Sequence, residues 1–189
     1  HPLSRRKSYV DGTMKVDSRG FSCSSEAAVY DVIIRDGTIV RSTGRLVADI
    51  AIQDGKIAYI GGNPAGRARE EISGIGRFVM PGVIDTHVHF RDPGHPAKES
   101  WATGSLEALR GGVTTVLDMP NTNPPTLDAT SVANKLARAG EVSVVNYGVW
   151  VGASAESIPN ISDLWDSGQV CGTKVFMGDS TGALAVDEA

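Results

Sequence analysis

Apolar and polar positions follow one pattern before residue 78 and another after it. Over residues 29–62, short apolar runs alternate with turn signals. Val32-Ile33-Ile34-Arg35 leads into Asp36-Gly37, and Thr38-Ile39-Val40 follows. Ala48–Ile52 leads into Asp54-Gly55, and Lys56–Ile60 follows. Asp-Gly between apolar runs predicts a hairpin, because glycine accepts the positive φ the turn requires. The pattern predicts a small antiparallel β unit over residues 29–77, ending in a polar, glycine-containing connector over residues 63–77. A unit of this size holds little core by itself.

From residue 78 the rhythm is strand, helix, strand, helix. The first strand is expected over Phe78–His89 and reads as buried. A helix is expected over Lys98–Arg110, with Ala102, Leu106 and Leu109 on one stripe and Gly111-Gly112 ending it. The β-branched run Val113–Asp118 is the second strand. Asp128 caps a helix over Ala129–Ala139, with Gly140 as its stop. Val142–Val151 is the third strand, Ile161–Trp165 a short helix, and Thr173–Met177 the fourth strand. Four such repeats predict a parallel sheet. An open doubly wound sheet and the first half of a (β/α)₈ barrel both produce this pattern. No glycine-rich phosphate loop follows the first strand, which weakens the nucleotide-binding version of the open sheet. Polar groups at the C-terminal ends of several strands suit a barrel, whose active site lies on that face.

The chain has 189 residues, 41% hydrophobic and 21% charged, an ordinary composition for a globular protein. A complete barrel takes about 250 residues. Only 112 run from Phe78 to Ala189, so at most half of one is expected over residues 78–189. His1 at one end and Asp187-Glu188-Ala189 at the other, where a helix would begin, read as cut ends. Residues 1–28 are Ser-rich and mixed in charge. They are expected to be a disordered or non-native leader, with Met14 as a candidate natural start. The net charge of −4 and the lack of a dense basic patch argue against nucleic-acid binding. Cys23 and Cys171 are the only cysteines, so no disulfide framework is expected and a cytoplasmic setting is the default. No apolar run approaches the length of a membrane span.

The candidate chemistry begins at Val83-Ile-Asp-Thr-His-Val-His-Phe-Arg91. Alternate side chains of a strand share a face, so Asp85, His87, His89 and Arg91 point one way. Such a polar row on a buried strand is costly unless something satisfies it. Ligation of a divalent metal by His87 and His89 answers that cost, with zinc or another borderline metal suited to imidazole. Lys174 interrupts the apolar fourth strand. It is read either as a lysine reaching from a strand end to solvent, or as an amine converted by CO₂ to an anionic carbamate ligand. Arg91 is shaped to clamp a carboxylate, and Asn121 lies in the stiff loop Asp118-Met-Pro-Asn-Thr-Asn-Pro-Pro125. A surface arginine and ordinary turn chemistry are the plain readings of those two. Glu99, Asp118 and His95 are weaker candidates: a helix-dipole partner, a strand-end carboxylate behind the site, and a loop residue. No Ser-His-Asp or Cys-His arrangement supports covalent catalysis.

Taken together, Gly82–Gly94, Gly111–Pro125 and Thr173–Gly178 resemble the cyclic amidohydrolase branch of the amidohydrolase superfamily, most closely the dihydroorotases. The resemblance covers residues 29–189. It implies a TIM-like metal-dependent hydrolase barrel, here its first four βα units over residues 78–189, preceded by a small composite β domain. It implies two divalent metal ions, zinc by expectation, held by His87, His89 and an N6-carboxylated Lys174 bridging both. Water activated at the metals would attack a ring amide carbonyl. Arg91, Asn121 and His89 would bind the substrate, interconverting N-carbamoyl-L-aspartate and dihydroorotate in pyrimidine biosynthesis. Hydantoinases, dihydropyrimidinases and allantoinases share the His-x-His and lysine motifs, but their substrates lack the ring carboxylate that Arg91 and Asn121 would hold. The further histidine ligands and the general acid/base aspartate are expected beyond residue 189, so the isolated chain is expected to be inactive. The full-length protein is expected to act on a small molecule and to be a homo-oligomer, with no nucleic acid or membrane partner. A non-catalytic scaffold, for example in a complex with aspartate transcarbamoylase, is the alternative of a different class.

Overall fold

The structure is a computed structural model, and it describes residues 29–178 and 184. The expected leader over residues 1–28 lies outside the described residues. The chain divides into two compact units, after Met80.

The first unit is a five-stranded sheet. Its strands are β1 (Val29–Arg41), β2 (Gly44–Gln53), β3 (Lys56–Gly61), β4 (Arg67–Ser73) and β5 (Phe78–Val79). β2 lies antiparallel to both β1 and β3, whereas β4 and β5 run parallel to β1 along its other edge. Asp54-Gly55 makes the expected tight hairpin, both residues at positive φ (51° and 69°).

Asp36-Gly37 does not form a hairpin. β1 runs on through it, and the pair is a bulge: Ile34 faces Ile50, yet Gly37 faces Ala48, leaving one extra residue on β1. Asp36 takes a φ of 56°, and its N–H donates to Asp49 Oδ1 at 2.9 Å. The bulge separates two partners on one edge, since β4 pairs with residues 29–35 and β5 with residues 38–39. A side chain on Gly37 would press on Val79 there, so glycine fits the close approach. The actual β1–β2 hairpin turns at Ser42-Thr43. Ile39, Ala48 and Ile50 form the small core, with Ile34, Ile52 and Val79 packed on it. The expected connector over residues 63–77 contains β4. Its Arg-Ala-Arg-Glu-Glu sequence hides the strand because it lies on an edge, with little buried surface to alternate.

The second unit is a four-stranded, all-parallel sheet: β6 (Val83–Val88), β7 (Val113–Asp118), β8 (Asn146–Gly152) and β9 (Gly172–Lys174). α1 (Trp101–Arg110) joins β6 to β7, α2 (Ala129–Val142) joins β7 to β8, and α3 (Ile161–Asp166) precedes β9. The strand order is 6-7-8-9, with no reversal. A doubly wound sheet reverses its order at a switch point, whereas a barrel steps round in sequence. The topology therefore favours the barrel. Ser100 and Thr103 form a capping box at α1, as do Asp128 and Ser131 at α2. Gly140 does not stop α2; it lies inside the helix, where a side chain would meet the Tyr147 hydroxyl.

Two expectations about the first strand need correction. Phe78 and Val79 pair with β1 and so belong to the first unit. Pro81, which has no N–H to give a ladder, and Gly82, where a Cβ would overlap Thr114, break the run before β6. Nor is β6 buried: Val83 is 55% and Ile84 60% exposed. β6 is an edge strand whose one ladder partner among the described residues is β7. The core lies further in, around Phe90, Trp101, Val116, Val132, Val149, Val151 and Leu164. No helix among the described residues is long and apolar enough to cross a membrane.

Candidate metal centre

The site candidates gather at the C-terminal ends of the parallel strands. His87 and His89 lie at the end of β6, Asn121 just past β7, and Lys174 at the end of β9. Alternation carries through to His89, so the two imidazoles share a face and their Nε2 atoms stand 3.2 Å apart. A tetrahedral ion bonded to imidazole at about 2.0–2.1 Å separates two such nitrogens by roughly 3.3–3.4 Å. The observed spacing matches that chelate closely.

His89 is oriented from behind. Its Nδ1 lies 2.7 Å from Asn121 Oδ1, an atom that can only accept. With the amide oxygen placed toward the ring, the proton sits on Nδ1 and the Nε2 lone pair faces His87. A histidine that ligates a metal through Nε2 needs this tautomer. Burial pushes the His89 pKa below its ordinary value. The Asn121 bond opposes that shift, and the positive charges of Arg91, His87 and Lys174 add to it.

The other candidates divide. Lys174 is half-buried, its ammonium 5.5 Å from the Phe176 ring centroid, and its carbonyl accepts from Ala153 N at 2.8 Å. Arg91 lies past the end of β6, in a loop rather than on the strand face. That loop is firm: Arg91 N donates to Glu99 O at 3.0 Å, and Arg91 O accepts from His95 N at 2.6 Å. The next residue, Asp92, is buried. It accepts from Arg138 Nε at 3.2 Å and, through its carbonyl, from Trp101 Nε1 at 2.9 Å. His95 is exposed, and Glu99 contributes its backbone carbonyl to Arg91. Asp85 Oδ1 accepts from the His87 N–H at 3.0 Å. Among the described residues, no three His, Cys, Asp or Glu side chains converge on one point, and the histidine pair offers two nitrogens.

Sequence reasoning missed one buried pair. Asp118 is fully buried and Lys135 is 1% exposed, with Nζ 2.5 Å from Asp118 Oδ2. The contact is an ion pair without an aligned hydrogen bond at Oδ2. Burial pushes the Asp118 carboxyl up to about 6, against the pull of Lys135. Burial likewise lowers the Lys135 ammonium. The signal was present: Lys135 falls on the Val132–Ala139 stripe of α2, where an apolar residue belongs.

Residues 78–180 match the profile of the amidohydrolase family. The chain belongs to the amidohydrolase family. Residues 7–86 match the profile of the urease alpha-subunit N-terminal domain. A protein named allantoinase from Desulfitobacterium hafniense is 43% identical over 148 residues, which is 78% of this chain and 33% of that protein. One named dihydroorotase from Methanosarcina acetivorans is 38% identical over 159 residues, 84% of this chain and 34% of that protein. The solved L-hydantoinase (dihydropyrimidinase) from Arthrobacter aurescens superposes with a TM-score of 0.79 at 33% identity, covering 85% of this chain and 36% of that one. The chain spans about one third of the length of the curated relatives it matches. The expected fold class, a small β domain followed by the first half of a TIM-like hydrolase barrel, agrees with these amidohydrolase neighbours.

Proposed function

We propose that this chain supplies the N-terminal third of a metal-dependent cyclic amide hydrolase whose substrate pair is dihydroorotate and N-carbamoyl-L-aspartate. The observation that carries the reading is the His87–His89 pair. Its Nε2 atoms are spaced for one divalent ion, and Asn121 fixes the His89 tautomer. His87 and His89 would hold the metal, zinc by donor type, and Lys174, carboxylated at Nζ, would bridge to a second. A bound divalent cation supplies acidification of water and polarisation of a ring carbonyl. The chain's own residues do the positioning. The Arg91 loop is braced on both sides, and its guanidinium can take a carboxylate in a two-pronged bond. Asn121 gives its oxygen to His89, which leaves its NH₂ as the donor for substrate.

A second reading has support in the named relatives. Allantoinases match as well as dihydroorotases, and hydantoinases are among the solved neighbours. Their substrates need no carboxylate clamp, so Arg91 separates the two readings. The test is turnover by the full-length protein of dihydroorotate, allantoin and hydantoin, before and after chelation. Dihydroorotate ring opening that chelation abolishes and zinc restores is expected. Turnover of allantoin or hydantoin with none of dihydroorotate would refute the first reading in favour of the second.

A further inference from the structure

The geometry points to the buried Asp118–Lys135 pair as a positioning device for the His87–His89 centre. It ties the main chain just after His89 to the loop that carries Asn121. The inference rests on the metal-site reading above.

Asp118 Oδ1 accepts from the Phe90 N–H at 2.7 Å, directly after His89. Its other oxygen faces Lys135 Nζ, which also donates to Met119 O at 2.7 Å. Met119 N–H in turn donates to Val88 O at 2.9 Å, directly before His89. The backbone on both sides of His89 is thus fastened to Asp118-Met119, and α2 is fastened to the same two residues through Lys135. Two residues beyond Met119, Asn121 reaches back to the His89 ring. The position and the tautomer of His89 depend on one cluster.

Ion pairing as such is not what stability requires here. Replacing a buried ion pair by apolar side chains of similar volume is often neutral or stabilising, because two charges no longer leave water. The surroundings here are apolar: Val132 and Ala139 flank Lys135 on α2, and Phe90 and Val116 flank Asp118. An apolar pair would pack there, but it would offer no acceptor to Phe90 N–H and no donor to Met119 O. What the charged pair adds is a fixed strand end beneath the ligand. Groups that orient metal ligands typically change metal affinity by about 10–100-fold when removed.

The experiment uses the full-length protein and two double variants, Asp118→Leu with Lys135→Met and Asp118→Asn with Lys135→Met. Zinc affinity is read by competition with a chromophoric chelator, and Tm is read on the metal-stripped protein. The Leu/Met variant leaves Phe90 N–H and Met119 O unpaired, so it is expected to fold with a lowered Tm and to bind zinc about 10–100-fold more weakly. The Asn/Met variant retains an oxygen for Phe90 N–H but loses the donor to Met119 O, and is expected to bind zinc between the Leu/Met variant and the parent. A Leu/Met variant that binds zinc within about threefold of the parent would overturn the proposal. Should a variant lose its fold, the parent decides through hydrogen exchange of the peptide containing Phe90. Protection of that amide persists after zinc is stripped if the pair pre-organises the strand end. Its collapse to the rate of an unbonded amide would overturn the proposal. A parent that binds no zinc would refute the metal centre itself, a result distinct from normal binding by the parent and unaltered binding by the variant.

Discussion

Replacing Asn121 by leucine removes the acceptor behind His89 while nearly preserving volume. Asn121 is buried, and its oxygen lies 2.7 Å from His89 Nδ1, a short N–H···O bond. Two routes give the size of the effect. Leaving a partly buried N–H without a partner costs about 1–3 kcal/mol. Loss of a group that orients a metal ligand weakens binding by about 10–100-fold, or roughly 1.4–2.8 kcal/mol. The two ranges overlap because they describe one event: without Asn121 the proton moves freely between the ring nitrogens, and the Nε2–H tautomer cannot ligate. The assay is zinc affinity of the full-length Asn121→Leu protein by chelator competition, alongside Asn121→Asp. Leucine is expected to weaken binding by about 10–100-fold, and aspartate, which still accepts from Nδ1, to leave it equal or tighter. Equal affinities in the leucine variant and the parent would refute the reasoning.

Two further outcomes follow from the packing and the charges. Trp101 is fully buried, edge-on to Phe90 at 5.1 Å and bonded to Asp92 O, so Trp101→Ala should cost about 3–5 kcal/mol in a denaturant titration. A cost below about 1 kcal/mol would contradict the core assignment. In the first unit, the Asp36 N–H and then Arg35 hold the Asp49 carboxyl below its ordinary 3.8. The stability this confers is complete above pH 3.8 and is lost as pH falls through the lower folded value. Acid unfolding followed by circular dichroism should show that loss in the parent but not in Asp49→Asn; identical acid limbs would contradict it.

Much of the second unit was legible because its signals are local. Asp128 and Gly111-Gly112 punctuate helices by backbone chemistry that needs no distant partner, and both helices start or stop where those residues stand. The shared face of His87 and His89 follows from the two-residue strand period alone. What failed to show in the sequence depends on a distant partner. Asp36-Gly37 carries the local signature of a turn, but β2, β4 and β5 hold it as a bulge in one long strand. Phe78-Val79 runs into the apolar stretch after it, yet its ladder belongs to β1. Gly140 looks like a helix stop, and only the approach of Tyr147 explains its place inside α2. Lys135 stands on the apolar stripe of α2, but only the approach of Asp118 shows what it pairs with. The burial expected for β6 came from its apolar residues, but burial belongs to a strand's neighbours, and among the described residues β6 has β7 alone beside it.

The most direct test of the metal centre is anomalous diffraction from crystals of the full-length protein grown with zinc. The account predicts a zinc peak within about 2.0–2.2 Å of Nε2 of both His87 and His89. A protein that binds zinc elsewhere, or a peak contacting neither imidazole, would contradict it.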